Sequence, residues 1–265
     1  MSLSHQILRA RAYLLDKLFI KQPWLRRLVT QCLYGTGDHE VQLFGTRLKV
    51  NALRENGYLR ADRLVKHSSL WRDEVSLLMT LSHLVQAGDT FVDVGANIGV
   101  FCCSLARLPG VKVIAFEANP ETYKRLQANA AVHGVDARCM AISDKAGELE
   151  FCDGAVSHVF AEVSHRNDYH LGGSTVKVKA MPLDDVLSGQ NRLVIKVDVE
   201  GHEPQVLRGA ERLIESGAVK AVVLDASKEA RTASQWLEGK GFKLVDPLTY
   251  LPPSASTGVF VALKQ

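Results

Sequence analysis

Residues 91–100, Phe91-Val92-Asp93-Val94-Gly95-Ala96-Asn97-Ile98-Gly99-Val100, decide how this chain is read. An apolar run with an acid near its end breaks into a turn carrying two glycines, and an amphipathic, helix-patterned stretch follows. A buried parallel strand delivers its C-terminal end and a bare backbone to a nucleoside ligand in this way. The pattern is Asp-x-Gly-x-x-x-Gly, whereas a dinucleotide fold shows Gly-x-Gly-x-x-Gly. The spacing points to a ligand with adenosine but no pyrophosphate, and away from NAD.

Outward from this turn, strand and helix patterns alternate. Strands are expected at 90–94, 112–116, 137–142, 193–199 and 219–224, and helices near 98–108, 120–133, 203–216 and 229–239. Two final strands, 242–246 and 257–263, are joined by a Pro-rich loop with no room for a helix, so they should pair antiparallel at the sheet edge. Five parallel strands plus this pair make a seven-stranded, doubly wound α/β sheet that binds ligands at its C-terminal strand ends. Upstream, residues 71–86 read as a lead-in helix ended by Gly88, and 40–50 as a short hairpin around Gly45. Residues 152–175 are rich in Gly, Ser and His without periodicity, and are expected to form a loop or short hairpin over the site. The expected division is therefore 1–70, a basic helical extension with the hairpin, and 71–265, the ligand-binding domain.

Composition bounds the remaining possibilities. At 265 residues, 46% hydrophobic and 23% charged, the chain has the makeup of a soluble globular protein with a full core. A net charge of +3 is too small to imply nucleic-acid binding. Its placement is uneven: residues 1–35 hold Arg9, Arg11, Lys17, Lys21, Arg26 and Arg27 against Asp16 alone. Residues 3–34 read as a basic amphipathic helix interrupted near Pro23. It either packs on its own domain with the basic face in water, or rests on an anionic membrane surface or a partner. Five scattered cysteines without a Cys-x-x-Cys pair argue against a disulfide framework and a structural zinc site, and fit a reducing cytosol. Neither an apolar run of membrane-spanning length nor a secretory signal is read. A cytoplasmic protein is expected, with contact at the membrane periphery as the second option.

Chemistry-bearing residues cluster at the expected strand ends. Asp93 can organise the glycine turn or meet a cationic amino group, and Asn97 can fix the turn. The turn's amides are expected to face the ligand. Glu117 ends the second strand in Phe-Glu-Ala-Asn-Pro, where a carboxylate can accept both hydroxyls of a ribose. After the third strand, Met140-Ala-Ile-Ser-Asp144 falls where an adenine edge is met, although Asp144 could equally cap a turn. In Leu193-Val-Ile-Lys-Val-Asp-Val-Glu-Gly201, alternation puts Lys196, Asp198 and Glu200 on one face. A central parallel strand normally reads as continuous aliphatic sequence, so this trio must pair, bind a ligand or emerge at the sheet's end. His202 follows as a candidate base or a silent helix-start histidine. His158, His165 and His170 sit in the 152–175 segment without metal-ligand spacing, and no metal chemistry is expected.

Taken together, these segments resemble the FkbM-type methyltransferases: Val-Asp-Val-Gly-Ala-Asn-Ile-Gly, Phe-Glu-Ala-Asn-Pro, Ala-Ile-Ser-Asp-x-x-Gly, Leu-Asp-Asp-Val-Leu and Ile-Lys-Val-Asp-Val-Glu-Gly-His-Glu, over roughly 70–263. The resemblance implies a Rossmann-like class I fold and S-adenosylmethionine as cofactor. It also implies methyl transfer, most often to a hydroxyl of a small molecule or glycan. It implies that Asp93, Gly95, Ala96, Asn97 and Gly99 hold the methionine moiety, Glu117 and Ala118 the ribose side, and Ala141, Ile142 and Ser143 the adenine. Lys196, Asp198, Glu200 and His202 would then line the transfer site. One departure is Asp225, at the end of the fifth strand, where the family pattern has glutamate. Two other readings stand beside this one: a Rossmann-like oxidoreductase, and a non-catalytic binding protein of the same fold.

Overall fold

A computed structural model describes residues 23–64, 69–153, 158–159, 174–199, 201–225, 228–247, 249, 251–253 and 259–264. The chain divides into two compact units, Met1–Met79 and Thr80–Gln265.

In the first unit, helix α1 (Pro23–Tyr34) begins on a proline, whose missing N–H costs nothing in a helix's first turn. Residues 1–22, most of the basic helix read from the sequence, lie outside the described residues. Strands β1 (Asp38–Leu43) and β2 (Thr46–Asn51) pair antiparallel. They close at Phe44-Gly45, where both residues have positive φ, as a tight two-residue hairpin turn requires. Alternation buries Val41, Leu43, Leu48 and Val50. Helix α2 (Asn56–Leu64) was not anticipated: among its described side chains Leu59 and Ala61 are the fully buried apolar ones, a weak periodic signal. Helix α3 (Ser69–Leu84) carries the chain across the boundary at Met79–Thr80.

The second unit runs β3 (Thr90–Val94), α4 (Val100–Leu105), β4 (Lys112–Glu117), α5 (Pro120–His133), β5 (Asp136–Cys139), β6 (Ala141–Ile142), β7 (Gly147–Asp153), β8 (His158–Val159) and β9 (Ser174–Met181). It continues with α6 (Leu183–Val186), β10 (Leu193–Val197), α7 (Glu203–Arg208), α8 (Glu211–Glu215), β11 (Val219–Asp225), α9 (Lys228–Gly239), β12 (Phe242–Val245) and β13 (Val259–Lys264). The main sheet has the order β12-β13-β11-β10-β3-β4-β5. Strand β13 is antiparallel to both neighbours and the other pairings are parallel. This is the seven-stranded doubly wound sheet expected from the sequence, with the terminal pair at its edge. Every residue of β3 and β10 is buried, so their apolar side chains pack on both faces, and only Asp93 and Lys196 break the core with charge. Val206, Leu207, Leu213 and Ile214 of α7 and α8, and Ala233 and Leu237 of α9, join the strands in one core.

Local chemistry sets the boundaries. Asn119 caps α5, its Oδ1 accepting the Glu121 and Thr122 amides at 2.9 and 3.2 Å, and Pro120 takes the first helical turn. The strand expected at 137–142 divides. The Met140 amide still donates to the Glu117 carbonyl (3.1 Å), but Ala141 and Ile142 pair with β9 instead. The helix expected at 203–216 breaks at Gly209-Ala210. A Cβ at Gly209 would lie 2.0 Å from the Ser143 carbonyl oxygen, so glycine lets the two backbones touch.

A second sheet of order β6-β9-β7-β8 replaces the helix that would otherwise join β5 to β10. The sequence reading reserved 152–175 for a loop or short hairpin, but its flanks belong to a longer antiparallel ladder running from Gly147↔Ala180 to Asp153↔Ser174. Residues 154–157 and 160–173, including His165 and His170, lie outside the described residues. The inner face of this sheet, Ala141, Val178 and Ala180 with Leu149 and Val176, packs against Ala118.

Candidate functional site

The site forms where β3, β4 and β10 end. Their parallel register places Lys196 of β10 directly beside Asp93 of β3, and neighbouring residues on parallel strands project to the same face. Both side chains are buried, with Lys196 Nζ 3.3 Å from Asp93 Oδ1. The same ammonium lies 3.3 Å from Asp198 Oδ2, just past the end of β10, and 5.0 Å from the centre of the Phe101 ring. Asp198 is 41% exposed, so the cluster opens to solvent through this carboxylate. Asp93 Oδ2 has no hydrogen-bond partner among the described residues. Burial pushes the Asp93 carboxyl above the usual carboxylate range, Lys196 pulls it back, and Asp198 pushes it up again. The trio read as Lys196, Asp198 and Glu200 is therefore joined by Asp93; Glu200 lies outside the described residues.

The glycine turn is held by the protein itself. The Gly95 and Ala96 amides donate to the Phe116 carbonyl at 3.0 and 2.9 Å, and Gly99 donates to the Ala96 carbonyl. The Asn97 amide donates to Glu117 Oε2 at 2.8 Å, and buried Asn129 Nδ2 donates to the Ile98 carbonyl. The expectation that these amides face a ligand thus needs correction. At Gly95, Ala96, Asn97 and Gly99 they are committed internally, because the turn folds back onto the end of β4. Gly95, at φ 80°, abuts the Asp198 carbonyl oxygen, while Gly99, at φ 95°, packs on Cys103 and Leu126.

Glu117 is buried, and its two oxygens accept the Asn97 and Asn119 amides at 2.8 and 2.9 Å. Burial raises its carboxyl above the usual range, and the two amides work against that shift. A carboxylate has about four acceptor positions, so each oxygen keeps one for a ligand hydroxyl.

On the other side of the ends of β4 and β10, Ala141 and Ile142 are buried and the Ser143 amide donates to the Met181 carbonyl. Ser143 Oγ lies 3.2 Å from Asp144 Oδ1, to which it donates, and 3.0 Å from His202 Nε2. A hydroxyl has one proton, so with that proton on Asp144 the Nε2 must carry hydrogen and Nδ1 is the lone-pair nitrogen. Burial lowers the His202 pKa, Asp144 raises it and Arg208 lowers it, with the balance downward. His202 is thus a neutral, enclosed imidazole. Glu203, which closes the segment Ile-Lys-Val-Asp-Val-Glu-Gly-His-Glu, was given no role by the sequence. Its carboxylate accepts the Val199 and Gly201 amides and so shapes the loop after β10. An acid in the first turn of a helix behind a glycine was the local signal for this role. Asp225 ends β11 opposite Val259 of β13.

Compared with known families, residues 93–244 match the methyltransferase FkbM domain. The chain belongs to the FkbM methyltransferase family. Similar proteins include the hexuronic acid methyltransferase AglP of Haloferax volcanii, 27% identical over 72% of this chain and 83% of its own length. Another is the 31-O-demethyl-FK506 methyltransferase FkbM of Streptomyces tacrolimicus, 32% identical over 62% of this chain and 77% of its own. Among solved structures, the chain matches the tRNA (uracil-54, C5)-methyltransferase of Pyrococcus abyssi in complex with S-adenosyl-L-homocysteine. That match has 17% identity and a TM-score of 0.45, over 87% of this chain and 44% of that one. This FkbM-family protein is an S-adenosylmethionine-dependent methyltransferase. Among its described residues, no helix is long and apolar enough to cross a membrane.

Proposed function

We propose that this enzyme methylates a hydroxyl oxygen of a sugar or other small molecule, with the donor lying across the C-terminal ends of β3, β4 and β10. The observation that carries this reading is the convergence there of three carboxylates with acceptor capacity unspent: Asp93 through Oδ2, Glu117 through one position on each oxygen, and Asp198 through its exposed face. In this reading Asp93 holds the methionine part, which lies along the Gly95-Ala96-Asn97-Ile98-Gly99 turn without drawing on the four committed amides, and Glu117 with Ala118 holds the ribose. Ala141, Ile142 and Ser143 border the adenine.

The bound donor supplies a methyl group made electrophilic by a cationic sulfur. Asp198 accepts the acceptor's hydroxyl proton, for it is the open carboxylate of the cluster, and Lys196 holds it in place. Such a base contributes on the order of 10²–10⁴-fold. His202 serves instead to fix Ser143, because its Nε2 is engaged there and its ring is enclosed. The two relatives, a hexuronic acid methyltransferase and a 31-O-demethyl-FK506 methyltransferase, support an oxygen acceptor.

Two measurements test this. Calorimetry with S-adenosylhomocysteine should show binding by the wild type and a loss of about 1.5–3 kcal/mol in Glu117→Ala, the range for hydrogen bonds to a charged group. A wild type that binds nothing would overturn the site. Incubation with methyl-labelled donor and a panel of hydroxylated sugars and macrolides should give a methyl ether that survives alkali. An alkali-labile product would make a carboxylate the acceptor instead.

We also propose that residues 1–35 rest on an anionic lipid surface. Six basic residues lie there against one acid, and Trp24 and Leu28, one turn apart on α1, are 65% and 49% exposed. Co-sedimentation with anionic vesicles, absent with zwitterionic ones and after deletion of residues 1–35, is the expected result.

A further inference from the structure

We propose that the Asp93–Lys196–Asp198 cluster makes this site select the positively charged methyl donor over its neutral, demethylated product. The proposal rests on the reading that the donor lies across the ends of β3 and β10. The two forms of the cofactor share their adenosine and amino-acid parts and differ at sulfur, which is a sulfonium in one and a thioether in the other. Contacts to adenine, ribose or carboxylate cannot tell them apart. Only the environment of the sulfur, through its field or through contact with the methyl group, can.

The cluster supplies such a field. Two carboxylates share one ammonium, 3.3 Å from each, so one negative charge is left in excess. A simple pair of Asp93 and Lys196 would have been neutral. Asp93 is wholly enclosed and its Oδ2 has no hydrogen-bond partner among the described residues, so water does not dissipate this charge on that side. The Phe101 ring, 5.0 Å from Lys196 Nζ, occupies a further side of the ammonium. Asp198 is the open member. Its backbone carbonyl abuts Gly95 of the turn, and its amide donates to the Val94 carbonyl, so its carboxylate is fixed at the junction of the two strand ends. Around enclosed Asp93 and Lys196 charges act on one another with far less screening than in water, whereas at Asp198, 41% exposed, water weakens the field. The consequence is directional: the donor enters against a favourable field, and the product, having lost the charge, leaves without it.

The test is calorimetry on the full chain with three probes. They are S-adenosylmethionine, S-adenosylhomocysteine, and an analogue carrying a protonated amine in place of the methylsulfonium, which separates charge from the methyl group. The wild type should bind both cationic probes roughly tenfold tighter than S-adenosylhomocysteine, about 1.4 kcal/mol. Asp198→Asn should bring that ratio close to one, the loss falling on the two cationic probes. Lys196→Gln should widen the ratio, since two negative charges then stand alone. Equal wild-type affinities for the charged and neutral probes, or a ratio that survives Asp198→Asn, would overturn the proposal, and neither depends on Lys196→Gln folding. Failure of all three probes to bind the wild type would instead remove the donor site on which the proposal rests.

Discussion

Lys196→Met is expected to lower folding stability by about 3–5 kcal/mol at pH 8, and by progressively less as the pH falls toward 4. Methionine fills nearly the same volume, so little of the loss comes from packing. The cost lies in Asp93, which is enclosed and has Lys196 as its ion-pair partner. Once that cation is gone, the carboxylate must either remain charged in the core or take up a proton. Burial already pushes the Asp93 carboxyl above its ordinary value, and Lys196 is the strongest influence pulling it back, so its removal raises the folded-state value further. A group that binds a proton more tightly in the native state than in the unfolded chain makes stability fall as pH rises. The decline runs from the unfolded-state value, near 3.9, up to the new folded value. Denaturant titrations of both proteins at pH 5, 6.5 and 8 check this. A deficit that does not change with pH would mean that lost contacts, not a stranded charge, cause it. Combining Lys196→Met with Asp93→Asn should recover part of the loss, because the two residues form one unit.

That pair also shows how much the sequence could disclose. Lys196 was conspicuous because a cation in a central parallel strand has to be accounted for, and the motif said as much. Its partner was not readable from the segment itself. Asp93 lies 103 positions away in the chain, and only the β10–β3 register makes them neighbours. The main sheet was legible for a related reason. Its strands are short aliphatic runs bounded by glycines and acids, and alternation with helices restricts the topology to few choices. The second sheet was missed because its two long strands, where Glu148, Glu150, Lys177 and Lys179 alternate with Leu149, Phe151, Val176 and Val178, pair across the aperiodic Gly-, Ser- and His-rich stretch 152–175 that separates them in the chain. The roles of His202 and Glu203 were hidden as well. An enclosed histidine and a surface one look alike in sequence; the contact that defines His202 comes from Ser143, and those that define Glu203 come from the loop amides of Val199 and Gly201.

The glycine turn itself gives the second large effect. Gly95→Ala is expected to cost about 3 kcal/mol or more, against about 1 kcal/mol for Gly134→Ala. Both glycines have positive φ, 80° and 71°, so the left-handed backbone charges alanine a similar amount at each. They differ in what a Cβ would meet. At Gly134, which ends α5, nothing lies within 4 Å, whereas at Gly95 the Asp198 carbonyl oxygen would be 1.9 Å away. That oxygen cannot retreat cheaply. The Asp198 amide is tied to the Val94 carbonyl at 3.1 Å, and the Gly95 and Ala96 amides are tied to Phe116, so relief means unpicking the ends of β3, β4 and β10 together. This separates two meanings of a glycine in such a turn. If Gly95 existed only to admit a ligand, its alanine variant would fold as well as Gly134→Ala and simply fail to bind S-adenosylhomocysteine. Because the close neighbour is the protein's own backbone, stability and binding should fall together. Parallel unfolding and calorimetric measurements on the two variants distinguish these outcomes: a fully stable Gly95→Ala protein would show that the turn is shaped for the ligand first and for the strand junction second.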